Sequence, residues 1–212
     1  MADRAHDPHQ GGWYARWGKR GLDLVAAAAL LLLLAPVFAL VALLVRVRLG
    51  APVTFVQLRA GLGGRPFRIF KFRSMAEGDG PDADRLDRFG RLLRLSGLDE
   101  LPQLVNVLRG EMSLVGPRPL PLDYLRHYSP RQAQRLRVRP GIAGPGVAAG
   151  RNAVGWPERL ELGATYARTP PTLGRDLWLI AATLRVWVGA RGGQARGHAT
   201  MPPFRGRGGD PG

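Results

Sequence analysis

The sequence predicts an α+β protein, mostly helical, in which a proline-broken N-terminal helix enters a membrane and a small β-hairpin leads into a helical domain. Three observations carry that prediction. An uncharged apolar run extends from Leu24 to Val45 with Pro36 in its middle, strand-like segments flank Gly61-Leu62-Gly63-Gly64, and apolar residues take up helical spacing from Leu101 onward. The sequence divides into a segment 1–15 expected to be flexible, a membrane-embedded helix 16–48, a domain 49–190 outside the membrane and a tail 191–212 expected to be flexible.

Each element has its own reason. Trp13, Tyr14 and Trp17, beside Arg16 and Lys19, form an interfacial anchor ahead of the apolar run. The run is long enough to cross a hydrocarbon core of about 30 Å. Pro36 withdraws a donor from the carbonyl near Leu32 and disfavours helical geometry at Ala35, so the helix breaks there. Basic residues lie on both flanks: Arg16, Lys19 and Arg20 before, Arg46, Arg48 and Arg59 after. A bent helix entering and leaving by one leaflet keeps both clusters on the cytoplasmic side; a kinked span puts one of them across the membrane. Val53–Gln57 and Pro66–Arg73 read as a hairpin, and Gly78–Arg85 as a polar loop. Leu101, Leu104, Val105 and Leu108 trace a helix that Gly110 stops, a second helix is expected over Pro121–Val138, and Pro140–Gly150 reads as loop. Leu177, Ile180, Leu184 and Trp187 mark one face of a last helix, packed in the core or lying on a membrane surface.

The formal net charge is +15 at pH 7, almost all of it arginine, and there is no cysteine. Disulfides and thiolate chemistry are therefore excluded. Such a charge suits phosphorylated substrates, an anionic membrane surface or nucleic acid. Nucleic acid is disfavoured, because the chain has no interleaved aromatics on a basic face and no nucleic-acid-binding motif. Against that positive background stand two adjacent carboxylates, Asp99 and Glu100, at the start of the helix that begins near Leu101. Acidic residues there complement the helix dipole. A carboxylate held among arginines also stays ionised, fit to act as a nucleophile or a magnesium ligand.

Several blocks together resemble the small bacterial polyprenyl-phosphate phosphoglycosyl transferases. They are Lys19-Arg20-x-x-Asp23, Lys71-Phe72-Arg73-Ser74-Met75, Leu98-Asp99-Glu100-Leu101-Pro102-Gln103, Met112 through Pro119, Arg139-Pro140-Gly141-Ile142 and Gly150-Arg151-Asn152-Ala153. The blocks keep the family's order across roughly residues 16–190. The tail Gly197-His198-Ala199-Thr200 with Phe204-Arg205-Gly206 is similar to members that transfer a phospho-diacetamido sugar, bacillosamine. The resemblance implies a monotopic protein at the cytosolic face of the bacterial inner membrane, its helix re-entrant about Ala35 and Pro36. It implies transfer of a sugar-1-phosphate from a UDP-sugar to polyprenyl phosphate, with release of UMP. Asp99 is the implied nucleophile and Mg2+ ligand, Glu100 its assistant, and Arg94, Arg118 and, less directly, Lys71 the phosphate ligands. Prolines on both sides of Arg118 preorganise its fork. The implied partners are membrane lipid and both substrates; a homodimer and downstream glycosyltransferases are further partners that the resemblance allows.

The chain departs from the family pattern in three places. Ala35 replaces a serine before the helix-breaking proline, Gly144–Ala149 with Pro145 and Ala148 replaces an aromatic- and amide-bearing segment, and Gly163 replaces an aspartate. These bear on substrate affinity and sugar preference. They also leave room for a membrane-tethered UDP-sugar or lipid-phosphate binding protein of the same fold that has lost turnover.

Overall fold

The computed structural model describes residues 12–79, 81–189 and 204, so the family-like tail motif other than Phe204 and most of the segment expected to be flexible at the N-terminus lie outside the described residues. A π-helical turn, Tyr14–Gly18, leads into α1 (Lys19–Leu33), and α2 (Ala35–Leu49) follows at an angle of 63°. The break falls at Leu34, which leaves helical geometry. Pro36 then sits in the first turn of α2, where its missing N–H has no intrahelical partner to lose. Among the described residues no single helix is long and apolar enough to cross a membrane; the bent pair reaches that length and apolar composition only when taken together.

One side of this pair packs on the rest of the protein. Ala27 of α1 joins Phe67, Ile69, Leu104, Val107 and Met112 in one core, while Val41 and Val45 of α2 join Phe72 and Leu93 in another. The other side is bare: Val25, Leu32, Leu33, Leu43 and Val47 are exposed, Leu32 to 80%. The expected aromatic anchor divides. Trp13 and Trp17 are exposed, whereas Tyr14 turns inward and donates to Asp176 at 2.9 Å.

The hairpin forms as the sequence predicts. β1 (Thr54–Ala60) runs antiparallel to β2 (Pro66–Phe72), with Thr54 opposite Phe72 and Ala60 opposite Pro66. Asn106 fastens it to the helical part: its side chain accepts from Phe70 N–H at 3.1 Å and donates to Arg68 O and to Glu111, each at 2.7 Å. Within the stretch read as polar loop lies α3 (Asp82–Arg85), one turn closed by an Arg85–Asp82 ion pair at 2.6 Å. α4 (Arg88–Ser96) is capped by Asp87, which accepts from Gly90 N–H at 2.7 Å. A 3-10 turn, Leu98–Glu100, then leads into α5 (Gln103–Leu108).

The second half corrects three expectations. β3 (Ser113–Val115) pairs in parallel with β4 (Gly141–Ala143), inside the segment read as loop. Three residues carry too little periodicity to betray a strand whose partner is distant in the chain. The helix expected over Pro121–Val138 is instead a 3-10 turn Leu122–His127, the short α6 (Pro130–Ala133) and a further 3-10 turn Gln134–Arg137. Ser129 breaks it, because it opens α6 with a full capping box to Gln132. After α7 (Pro145–Ala148), also within the supposed loop, come α8 (Trp156–Arg168) and α9 (Leu173–Val188). The inner stripe of α9 is Asp176, Leu179 and Thr183; of the expected face, Ile180 packs on the core and Trp187 against Gly97, while Leu177 and Leu184 are about half exposed together with Leu173 and Trp178. Asp176 decides this orientation: it accepts from Lys19 at 2.7 Å and from Tyr166 at 2.9 Å, locking α9 to α8 and to the foot of α1.

Candidate active site

The carboxylate pair lies in the short turn between α4 and α5, and the turn exists because Gly97 ends α4 in the left-handed region at φ 74°. The Trp187 ring lies against Gly97 so closely that a Cβ would stand 2.6 Å from it. Only glycine meets both demands, and α9 thereby clamps the residue that aims Leu98–Glu100 inward. Asp99 is 5% exposed and Glu100 2%.

Three segments converge on the pair. Arg118, from the proline-flanked loop after β3, donates to Glu100 through both terminal nitrogens, at 2.6 and 3.3 Å. Lys71, near the end of β2, donates to Glu100 at 3.1 Å and stands 4.0 Å from Asp99. Arg94, one turn from the end of α4, donates to Ser74 Oγ at 2.8 Å and lies against the Met75 sulfur at 2.7 Å. The structure thus brings together all five site residues expected from the sequence, but with a different division of labour. Two of the cations expected as phosphate ligands, Arg118 and Lys71, bind Glu100, and Asp99 Oδ1 is buried without a hydrogen-bond partner.

The electrostatics follow. Burial pushes the Asp99 carboxyl up, and the neighbouring Glu100 charge adds to this; Lys71, Arg94 and Arg118 pull it back, leaving it at about 6. Burial also pushes Glu100 up, but Arg118 and Lys71 overturn that and hold it well below the usual carboxylate range. Glu100 in turn raises Arg118, while burial lowers Lys71 and Arg94. At neutral pH Asp99 is therefore ionised, poorly solvated and basic beside a permanently charged neighbour, which is the condition of a group poised to form a bond.

Among the described residues, no group of three or more His, Cys, Asp or Glu side chains could hold a metal ion. A magnesium ion carried in by substrate phosphates would meet Asp99, whose Oδ1 is buried without a partner.

Sequence reasoning passed over Arg151, Arg135 and Arg159. Arg151 donates to Arg94 O at 2.8 Å and Leu95 O at 3.1 Å, bracing the end of α4 that leads to the pair. Its signal was the Gly150-Arg151-Asn152 block, quoted as a resemblance without a role. Arg135 and Arg159 border the cleft beyond Arg118; no local pattern distinguishes them from other surface arginines. Gly163 and Pro145, two of the departures from the family pattern, border that same cleft.

A buried carboxylate pair served by arginines and a lysine, on a fold with a bent apolar helix pair, defines a phosphate-handling enzyme core. Residues 14–190 match the bacterial sugar transferase family, and the chain belongs to it. It is 43% identical over 196 residues to the protein described as uncharacterized sugar transferase EpsL of Bacillus subtilis (strain 168), a match covering 90% of this chain and 96% of that one. It is 48% identical over 155 residues to the UDP-glucose:undecaprenyl-phosphate glucose-1-phosphate transferase of Caulobacter vibrioides, covering 68% of this chain but 57% of the longer relative. The exopolysaccharide production protein ExoY of Rhizobium meliloti is 36% identical over 197 residues, with 82% of this chain and 87% of that protein covered.

Proposed function

We propose that this protein transfers a sugar-1-phosphate from a UDP-sugar to undecaprenyl phosphate, releasing UMP, at the start of bacterial glycan assembly. The names of the relatives from Caulobacter vibrioides and Escherichia coli support the substrate pair. The observation that carries the chemistry is the unpartnered, buried oxygen of Asp99 beside three cationic side chains. Asp99 attacks the phosphorus that bears the sugar, the bond from that phosphorus to the UMP oxygen breaks, and a phosphoglycosyl-aspartyl ester results. An oxygen of the lipid phosphate then attacks the same phosphorus and frees Asp99. Splitting the transfer in two means that the two phosphorylated substrates are never held against each other. Glu100 fixes Arg118 and Lys71 in place, so that their donors face the incoming phosphate without having to reorganise. Mg2+ held by Asp99 and the diphosphate would neutralise charge on the leaving group.

The site works from the membrane. The exposed side of α1 and α2, with Trp13 and Trp17 at its foot, supports insertion into one leaflet, with the bend at Leu34 as the turning point and the cytosol on both flanks. The outward Leu173, Leu177, Trp178 and Leu184 of α9 suit the lipid surface. Both features favour Asp99 lying near headgroup depth, where a lipid phosphate can reach it.

The test is to incubate the protein with undecaprenyl phosphate, Mg2+ and a panel of UDP-sugars, and to follow UMP. With a UDP-sugar labelled in the sugar and no lipid acceptor, the wild type should acquire label and Asp99→Asn should not. Label on the Asp99→Asn protein would remove Asp99 as nucleophile. No UMP from any sugar would favour the tethered binding protein.

A further inference from the structure

Beyond Arg118 lies a narrow cleft bordered by Pro117, Arg118, Arg135, Trp156, Arg159 and Gly163. Two of these arginines are buried without a carboxylate. Arg135 is 6% exposed; one terminal nitrogen donates to Arg118 O at 2.6 Å, and the other, Nη1, is buried with no partner. Arg159 is 8% exposed; it lies 5.1 Å from the centre of the Trp156 ring and makes one long bond, 3.3 Å, to Asn152 Oδ1. Among the described residues, neither forms an ion pair. Burial, and after it the like charges of Arg118, Arg135 and Arg151, push Arg159 down to about 9, with Tyr124 acting against them. Burying guanidinium groups against one another is costly unless an anion joins them. Gly163 lies beside this group, a Cβ there standing 3.6 Å from the Arg135 guanidinium.

We propose that Arg135 and Arg159, with Arg118, form the oxyanion subsite that receives the phosphate leaving with the nucleoside. The assignment rests on the reaction proposed above and follows from its geometry. Displacement at phosphorus places the attacking and leaving oxygens on opposite sides. Arg118 is the cation shared by both groups of charges, acting on Asp99 and Glu100 on one hand and on Arg159 on the other. With the transferred phosphoryl group at Arg118, Asp99 attacks from the carboxylate side and the leaving oxygen points into the cleft. As the bond to that oxygen breaks, its electron pair and charge pass to the UMP phosphate, where Arg135 Nη1 and Arg159 meet it. The Trp156 face gives the same cleft an aromatic wall.

The experiment measures UMP binding to the full chain in detergent by titration calorimetry, which needs no turnover. The variants are Arg159→Met and Arg135→Met, each of which keeps the stem and removes the charge. Each should weaken UMP at least about tenfold, the loss expected for a charged hydrogen bond, with the melting temperature retained. UMP affinity within twofold of wild type for folded Arg159→Met would overturn the assignment, whether or not Arg135→Met folds. So would unchanged UMP binding coupled to a selective rise in KM for a UDP-uronic acid, since the subsite would then take an acidic group on the sugar. If no UDP-sugar yields UMP in the activity assay yet UMP binds in an Arg159-dependent way, the subsite stands and the proposed reaction is what fails.

Discussion

Replacing Asp99 by asparagine should make this protein more stable, and by an amount that depends on pH. In the folded protein Asp99 titrates near 6, against 3.8 for a free aspartate. At about 1.4 kcal/mol per pH unit, keeping that carboxylate ionised costs about 3 kcal/mol of folding free energy. The sign follows from proton counts. Between pH 4 and 6 the folded chain holds a proton that the unfolded chain has released, so this contribution to stability falls as pH rises through that window and is level above it. Asparagine does not titrate. Asp99→Asn should therefore match wild type near pH 4 and exceed it by up to about 3 kcal/mol at pH 7.5, an increase of about 6–12 °C in Tm for a chain of this size. Thermal melts of both proteins in one detergent, at half-unit steps of pH, measure this. The same ionisation should appear in function as a rising limb near pH 6 in adduct formation. A difference in Tm that is absent, or equal at all pH values, would refute the claim that Asp99 is held ionised against its surroundings.

Three more perturbations test the surrounding design. Glu100→Gln removes the partner of Arg118 and Lys71, which should cost about 3–5 kcal/mol in denaturant titration and should move the rising limb below pH 6, because a negative neighbour of Asp99 is gone. Asn106→Ala strips two hydrogen bonds between the hairpin and α5 and a third to Glu111, and should lower stability by about 2–4 kcal/mol; hydrogen exchange should show the loss in β2 before α9. Tags at residues 10 and 205 should both be reached by reagents only from the cytosol, whereas a periplasmic N-terminal tag would mean that the bent pair spans.

How much could be read in advance depended on how local the cause was. Pro36 breaks its helix, Gly110 stops α5, and the strands on either side of Gly61–Gly64 pair, each through forces acting within a few residues. The carboxylates at the head of a helix were visible for the same reason. Partnerships were not. Whether Arg118 and Lys71 serve Asp99 or Glu100 depends on where two distant segments cross the turn at Gly97, and that turn is held by Trp187 of α9. Ser129 divided a supposed helix through a local capping box to Gln132, whereas a tertiary contact, the ion pair of Asp176 to Lys19, turned α9 and left Leu177 and Leu184 outward.

By itself, the sequence determined the class of chemistry and its place: an arginine-rich chain with a broken apolar helix and an Asp-Glu pair at a helix start, because charge, hydropathy and turn propensity are properties of neighbouring residues. Only the tertiary structure decided which carboxylate is satisfied and which is left reactive, and that Arg135 and Arg159 face one cleft. Burial and electrostatic pairing act through space, between segments far apart in the chain, and the same residue is a solvated charge or a strained one according to what the fold places against it.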